Sequence, residues 1–99
     1  MTTSNLVVNL NKIRAANVTD CPAESAVFVF DYFAPESASG EIRQRPLVRV
    51  IGDSLTKLND GNWIFKGVNL YRINDHGKGV SGAIRTFRLN RINGLVRQP

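Results

Sequence analysis

The sequence predicts a mainly β (α+β) domain in which one N-terminal helix packs on a small antiparallel barrel or sheet of four to five strands. Apolar residues recur at helical spacing only near the N-terminus. From residue 26 onward the chain has short runs rich in β-branched and aromatic residues, separated by polar turns. A chain of 99 residues is long enough for one hydrophobic core, so we expect a single domain over residues 1–99.

The N-terminal helix is predicted over residues 5–16. Its N-cap is expected to be Thr3 or Ser4, because a hydroxyl can accept a hydrogen bond from a free N–H of the first turn. The apolar residues with helical spacing are Leu6, Leu10 and Ile13. The basic residues expected to face solvent are Lys12 and Arg14. The polar segment 17–25 is expected to be a loop.

Four strands and a short fifth follow the helix. Their predicted bounds are 26–33, 41–51, 63–73, 84–89 and 92–96. The predicted turns are 35–40, 53–62 and 74–82. Pro46 cannot donate a ladder hydrogen bond, so the second strand is predicted to lie at an edge or to carry a bulge there. The dipeptide Asp60-Gly61 indicates a hairpin before the third strand. An SH3-like or Sm-like barrel over residues 26–96 fits this strand count.

The charge is unevenly distributed. Residues 76–99 contain five basic and no acidic side chains, whereas residues 1–75 contain eight of each sign. The net charge of +5 therefore lies in one segment. Such asymmetry favours a local anionic partner, most often nucleic acid or a phosphorylated ligand.

Several kinds of function are not expected. A single cysteine, Cys21, excludes an internal disulfide and a cysteine-rich zinc site. His76 is the only histidine, the nearby glycines do not match a dinucleotide fingerprint, and no catalytic set can be read from the spacing. We therefore expect no enzyme activity, no metal and no cofactor. The sequence has neither a signal peptide nor about 18 consecutive apolar residues, which predicts a cytoplasmic protein without a membrane partner.

Arginines recur along the second predicted strand. The two-residue period places Arg43, Arg45 and Arg49 on one face and mostly apolar residues on the other. The planar fork of donors in arginine suits phosphate or carboxylate. The alternative is a solvated outer face with scattered ion pairs to nearby acidic side chains.

The fourth predicted strand has basic residues on both faces. Arg85 shares a face with Phe87 and Leu89, whereas Arg88 lies on the other face. A partly buried arginine needs a partner, which is either an acidic side chain or an anionic ligand. In the alternative, Arg85 pairs with Asp31, Asp53 or main-chain carbonyls and stabilises the fold.

The third predicted strand combines aromatic and basic residues. Trp63, Phe65 and Tyr71 share one face, and Lys66 lies on the other. Aromatic rings interleaved with basic residues are typical of surfaces that bind single-stranded nucleic acid. The alternative is that these rings belong to the core.

Three segments carry a family resemblance. The most specific is Arg85-Thr86-Phe87-Arg88-Leu89-Asn90-Arg91-Ile92. The others are Gly61-Asn62-Trp63-Ile64-Phe65 and Ser39-Gly40-Glu41. Over roughly residues 26–96 this pattern resembles the WYL domain family. Asn90 stands where that family usually has aspartate, and Ile64-Phe65 replaces the tyrosine and leucine that follow the tryptophan.

The resemblance implies an SH3-like or Sm-like barrel with a role in ligand sensing or nucleic-acid binding. WYL domains of prokaryotes and phages mostly regulate transcription or defence. Arg85, Arg88 and Arg91 match the family's anion contacts, with Trp63 beside them, and Arg43 or Arg45 matches an upstream arginine. Only about 25 residues precede the barrel, too few for the helix-turn-helix of WYL regulators, so we expect a stand-alone module comparable with phage or mobile-element products.

The predicted function is therefore a regulatory or ligand-sensing module that binds single-stranded DNA or RNA, or a nucleotide-like anion. The predicted contact residues are Arg43, Arg45, Arg49, Trp63, Lys66, Tyr71, Arg85, Arg88 and Arg91. The alternative is a small protein-interaction module that inhibits or recruits a host or partner protein and does not bind nucleic acid. A homodimer through the edge of the strand 41–51 is a separate expectation. Arginines that converge around Trp63 favour the first function, and arginines paired with acids favour the second.

Overall fold

The computed structural model describes residues 4–33, 46–73, 79–80 and 82–99, with only the backbone described at 71–73 and 79–80. The predicted turn at 35–40, the first part of the second predicted strand at 41–45 and residues 74–78 lie outside the described residues.

The helix α1 spans Asn5–Ala16, as predicted. Ser4 is its N-cap, and the Leu6 N–H donates to the Ser4 hydroxyl at 3.1 Å. The buried side chains of α1 are Asn9, Ile13 and Ala16. Leu6, which the helical spacing placed on the buried face, is instead 41% exposed.

In the described part of the chain, seven strands follow α1. They are β1 Val27–Tyr32, β2 Leu47–Val50, β3 Thr56–Lys57, β4 Trp63–Ile73, β5 Gly79–Val80, β6 Ala83–Arg88 and β7 Ile92–Arg97. Two 3₁₀ turns lie at Ala23–Ser25 and Leu89–Arg91. The five strands predicted from the sequence correspond to β1, β2, β4, β6 and β7.

All pairings in the sheet are antiparallel, and the five longer strands have the order β7-β1-β2-β4-β6. Residues 67–69 of β4 are in register with both β2 and β6, so these two strands lie on opposite sides of β4. The 3₁₀ turn Leu89–Arg91 joins β6 to β7, so the two edges of the sheet are connected by only three residues and the sheet must bend strongly. The predicted mainly β class with one helix is confirmed, but in the described part of the chain β6 and β7 do not pair and the sheet is not a closed barrel.

The prediction that the second strand is an edge is wrong for the residues described. Strand β2 pairs with β1 on one side and with β4 on the other. Pro46 stands just before Leu47, the first residue of β2, so its missing donor interrupts no described ladder bond. The register of β2 on β4 shifts between Leu47 and Val48, next to the residue where a bulge was the alternative. The 47–50 part of this strand therefore has both sides occupied by β1 and β4.

The core is built around four aromatic rings, which belong to Phe30, Tyr32, Phe65 and Phe87. Phe30 meets Phe87 edge-to-face with 5.4 Å between ring centroids, and Phe87 stacks on Phe65 at 5.4 Å. Ile13 of α1 packs against the same cluster. Fully burying each such side chain contributes about 1.5–3 kcal/mol. The core alternative for Phe65 is therefore confirmed.

Helix α1 also covers the outer edge of β7. The Asn9 amide donates to the Gly94 carbonyl at 2.8 Å and accepts from the Val96 N–H at 2.9 Å. The Lys12 ammonium donates to the Val96 carbonyl at 3.2 Å. These side chains satisfy backbone groups that point away from β1, so α1 protects this edge from pairing with another strand. No helix in the described part of the chain has the length and apolarity needed to cross a membrane.

Gly67 allows β2 and β4 to approach closely. It lies on the core face of β4, and a Cβ at this position would collide with Cγ1 of Val48. We expect Gly67→Ala to lower the free energy of unfolding by about 1 to 2 kcal/mol, because the extra methyl overpacks a filled site. Urea denaturation measures the loss. In a double-mutant cycle, Val48→Ala should cost less in the Gly67→Ala background than alone. Independent, additive costs would show that the two residues do not compete for this space.

Candidate nucleic-acid interface

The sheet has one face in the core and one face turned away from α1, called the outer face below. On β2 the core residues are Val48 and Val50, and Arg49 lies on the outer face. On β4 the core face includes Phe65, Gly67 and Asn69. The outer-face side chains of β2, β4 and β6 include Leu47, Arg49, Ile64, Lys66, Val68, Ile84, Thr86 and Arg88.

The strand register aligns three basic residues across the outer face. Arg49 of β2 lies opposite Val68 of β4, and Lys66 is the next outer-face residue of β4. Lys66 lies opposite Thr86 of β6, and Arg88 is the next outer-face residue of β6. Consecutive members are therefore diagonal neighbours, about 7–8 Å apart between Cα atoms. We call Arg49, Lys66 and Arg88 the basic diagonal.

The basic diagonal has no acidic partner among the residues that the structure describes. Arg49 and Lys66 are exposed, and Arg88 is half-buried. Asp53, one of the expected partners of the arginines, accepts a hydrogen bond from the Thr19 hydroxyl at 2.7 Å instead. Uncompensated cations on neighbouring strands repel one another, so an anion that binds between them is stabilised by all three.

Asp60 is the one described carboxylate whose pKa reflects Arg88. The pKa of Asp60 lies below its ordinary value, first because the Asn62 N–H donates to its carboxylate, at 2.9 Å, and to a smaller extent because of the positive charge of Arg88. The Asp60 side chain is therefore an Asx-type turn acceptor in the β3–β4 hairpin.

Two of the predicted contact residues lie away from the basic diagonal. Arg85 is half-buried on the core face of β6, opposite Gly67, so it lies on the other side of the sheet from Arg88. Arg91 is half-buried in the 3₁₀ turn, where its carbonyl accepts from the Phe33 N–H at 3.0 Å. The strand period alone separates Arg85 from Arg88. The predicted contacts Arg43 and Arg45 lie outside the described residues, as does His76.

The aromatic residues of β4 contribute to packing. Trp63 is half-buried against the core, and the guanidinium of Arg14 lies 5.4 Å from its ring centroid. The sequence placed Arg14 in solvent and gave no signal for this contact between α1 and β4. A base could stack on the same ring face only if Arg14 moved. The backbone of Tyr71 pairs with Leu47, and the structure describes only the backbone at this residue.

A pocket of about 300 Å³ opens beside Arg49. Its lining side chains are mostly small, and they include Val18, Cys21, Ala23, Ile51 and Val68. This volume is at the lower end of the range for small-molecule sites. Sequence reasoning missed the pocket because it forms only where the loop after α1 meets the ends of β2 and β4.

Asn17 holds this loop against the end of β2. Its side-chain oxygen accepts from the N–H groups of Ser54 and Leu55 at 2.8 and 2.9 Å, and its carbonyl accepts from the Asp53 N–H at 2.8 Å. Asp53 has a φ of 64°, in the left-handed region that aspartate tolerates better than most residues. The pocket wall is therefore fixed by hydrogen bonds that connect residues distant in sequence.

No protein-family model, curated protein or solved structure matches this chain. The resemblance to the WYL family accordingly stays a prediction from the sequence.

Proposed function

We propose that this protein is a regulatory module that binds single-stranded nucleic acid, or a nucleotide-like anion, through the basic diagonal. The observation that supports this proposal best is the alignment of Arg49, Lys66 and Arg88 across three adjacent strands, with no ion pair to a carboxylate among the described residues. The net charge of +5 also favours binding of polyanions, because it raises their rate of association with the protein.

Phosphate contacts are the main source of affinity in this proposal. Each phosphate that a lysine or arginine neutralises releases condensed counterions, so the binding constant falls with salt. For single strands the slope of log K against log salt is about −0.7 per contact, so three contacts correspond to a slope of about −2. Since Trp63 is packed and covered by Arg14, we expect base stacking on its ring to contribute little.

The pocket beside Arg49 offers a place for one base. Its size admits one base, and Arg49 in its lining stands where the attached phosphate would lie. Cys21 lines this pocket and is the only cysteine, so its reaction with a thiol reagent reports on occupancy. A bound oligonucleotide is expected to slow the alkylation of Cys21.

The test is a salt titration of binding to labelled single-stranded DNA and RNA oligonucleotides, with two matched double variants. Lys66→Gln with Arg88→Gln removes two members of the basic diagonal. Lys57→Gln with Arg97→Gln removes one exposed lysine and one exposed arginine elsewhere, so both variants have the same net charge. We expect the first to weaken binding at least tenfold and to reduce the salt slope by about 1.4, since each charge-assisted contact is worth about 1–3 kcal/mol. We expect the control to stay within twofold of the unmodified protein.

Two outcomes would overturn the proposal. The first is an absence of binding at low salt, which would favour the protein-interaction function. The second is an equal loss in both double variants, which would mean that net charge and not the basic diagonal determines binding. Arg85→Gln, with stability measured in parallel, separately tests the contact implied by the WYL resemblance.

A further inference from the structure

The two edges of the sheet differ in how their backbone groups are satisfied. At β7, the side chains of Asn9 and Lys12 bond the backbone of Gly94 and Val96. At β6, the described residues provide a strand partner only on the side of β4. Among the described residues, one edge is thus covered by the helix, and the other, called the open edge, presents strand backbone without a partner strand.

Hydrogen bonds around β6 identify which of its groups point outward. The Lys66 carbonyl accepts from Ile51 at 2.9 Å, on the β2 side of β4, so Lys66 does not bond Thr86, its neighbour in β6. The Arg88 N–H donates to the Tyr32 hydroxyl at 3.0 Å, away from β4. Because groups on alternate residues of a strand point to the same side, Ile84 and Thr86 present their N–H and C=O groups at the open edge.

The side chains along this edge favour an acidic partner. Ile84 is 64% exposed and Thr86 is exposed, whereas Arg85 and Arg88 provide positive charge on the two faces of the strand. The chain has no acidic residue from His76 to Pro99. A second copy would bring the same charges against this edge, and like charges across a strand pair are destabilising. An extended acidic segment would place carboxylates beside both arginines.

We infer that the open edge of β6 is a docking edge for an extended acidic segment of a partner protein, which adds to the sheet as a strand beside Ile84 and Thr86. Backbone hydrogen bonds supply the affinity in this mode of recognition, and alternate side chains supply the specificity. Ile84 offers an apolar contact on the outer face, and Arg85 and Arg88 select for acidic side chains.

A proline at position 86 tests the inference directly. Thr86→Pro removes an N–H that points to the open edge and leaves the ladder to β4 intact, since proline is tolerated on edge strands in this orientation. The matched control, Thr86→Val, keeps the N–H and a β-branched side chain. The ligand is a synthetic hexapeptide with blocked ends in which two adjacent glutamates are flanked by valine and threonine, because adjacent residues of a strand point to opposite faces and so place one carboxylate on each face. Binding is followed by amide chemical shifts and by hydrogen-exchange protection at Ile84 and Thr86.

We expect the acidic peptide to bind the unmodified protein and Thr86→Val, and to bind Thr86→Pro at least tenfold more weakly. The same peptide with lysine in place of glutamate, and an acidic peptide with N-methylated backbone, should not bind. The methylated peptide keeps the test decisive if Thr86→Pro does not fold. Equal binding of the lysine peptide, equal binding to Thr86→Pro, or concentration-dependent dimerisation that Thr86→Pro abolishes would each overturn the inference. Arg88 belongs to both sites, but Thr86→Pro keeps all three residues of the basic diagonal. Oligonucleotide binding by this variant should therefore be unchanged, which distinguishes a failure of the docking edge from a failure of the basic diagonal.

Discussion

Asn9→Leu is expected to lower the free energy of unfolding by about 3 kcal/mol, because it leaves two backbone groups at the edge of β7 without partners. Asn9 is only 1% exposed, and its amide bonds both the Gly94 carbonyl and the Val96 N–H. Leucine has the same branching as asparagine but can neither donate nor accept a hydrogen bond. For a domain of this size the loss corresponds to a fall in melting temperature on the order of 10–20 °C. Thermal unfolding followed by circular dichroism measures it.

The control for this variant is Asn11→Leu, which makes the same substitution at an exposed position of α1. We expect it to change stability by less than about 0.5 kcal/mol, as is usual for surface sites. Faster hydrogen exchange at Val96 in Asn9→Leu would locate the damage at the edge of β7. Equal melting temperatures for the two variants would mean that the Asn9 hydrogen bonds do not hold the helix on the sheet.

The sequence predicts the longer elements of this fold well because their signals are local. The bounds of α1 follow from the Ser4 cap and from apolar spacing. The hairpin before β4 follows from Asp60-Gly61, where Gly61 has a φ of 90°. Strand β3, Thr56–Lys57, was not predicted, since two exposed residues are too few to show an alternating pattern.

The candidate interface is less predictable because it depends on strand order and register. Alternation within one strand correctly separates Arg85 from Arg88, and it places Arg49 opposite the buried face of β2. No local sequence pattern indicates that β4 lies between β2 and β6. This strand order places Lys66 between Arg49 and Arg88. The covered edge of β7 depends on bonds between residues 85 to 87 positions apart, which no local pattern indicates.

Asn69→Leu is expected to raise the free energy of unfolding by about 2 kcal/mol, the opposite sign to the same substitution at Asn9. Asn69 is also 1% exposed, on the core face of β4 between Val48 and Ala83. Its side-chain nitrogen and oxygen have no hydrogen-bond partner among the residues that the structure describes. A buried amide without partners loses its hydrogen bonds to water on folding and forms none in the protein, which costs free energy. An apolar side chain of the same branching has no such desolvation cost. Urea denaturation should show a higher midpoint at an unchanged m-value.

Asn69→Val separates polarity from size, because leucine is bulkier than asparagine and could overpack the site. A β-branched residue suits the middle of a strand, so we expect Asn69→Val to be stabilising even if Asn69→Leu is not. If both variants are less stable than the unmodified protein, the amide must bond a group in the folded state, and the argument from its unsatisfied atoms fails. If both are more stable while Asn9→Leu is less stable, hydrogen bonding and not burial decides what an asparagine contributes at each position. The same amide then stabilises the helix–sheet contact at Asn9 and destabilises the sheet at Asn69.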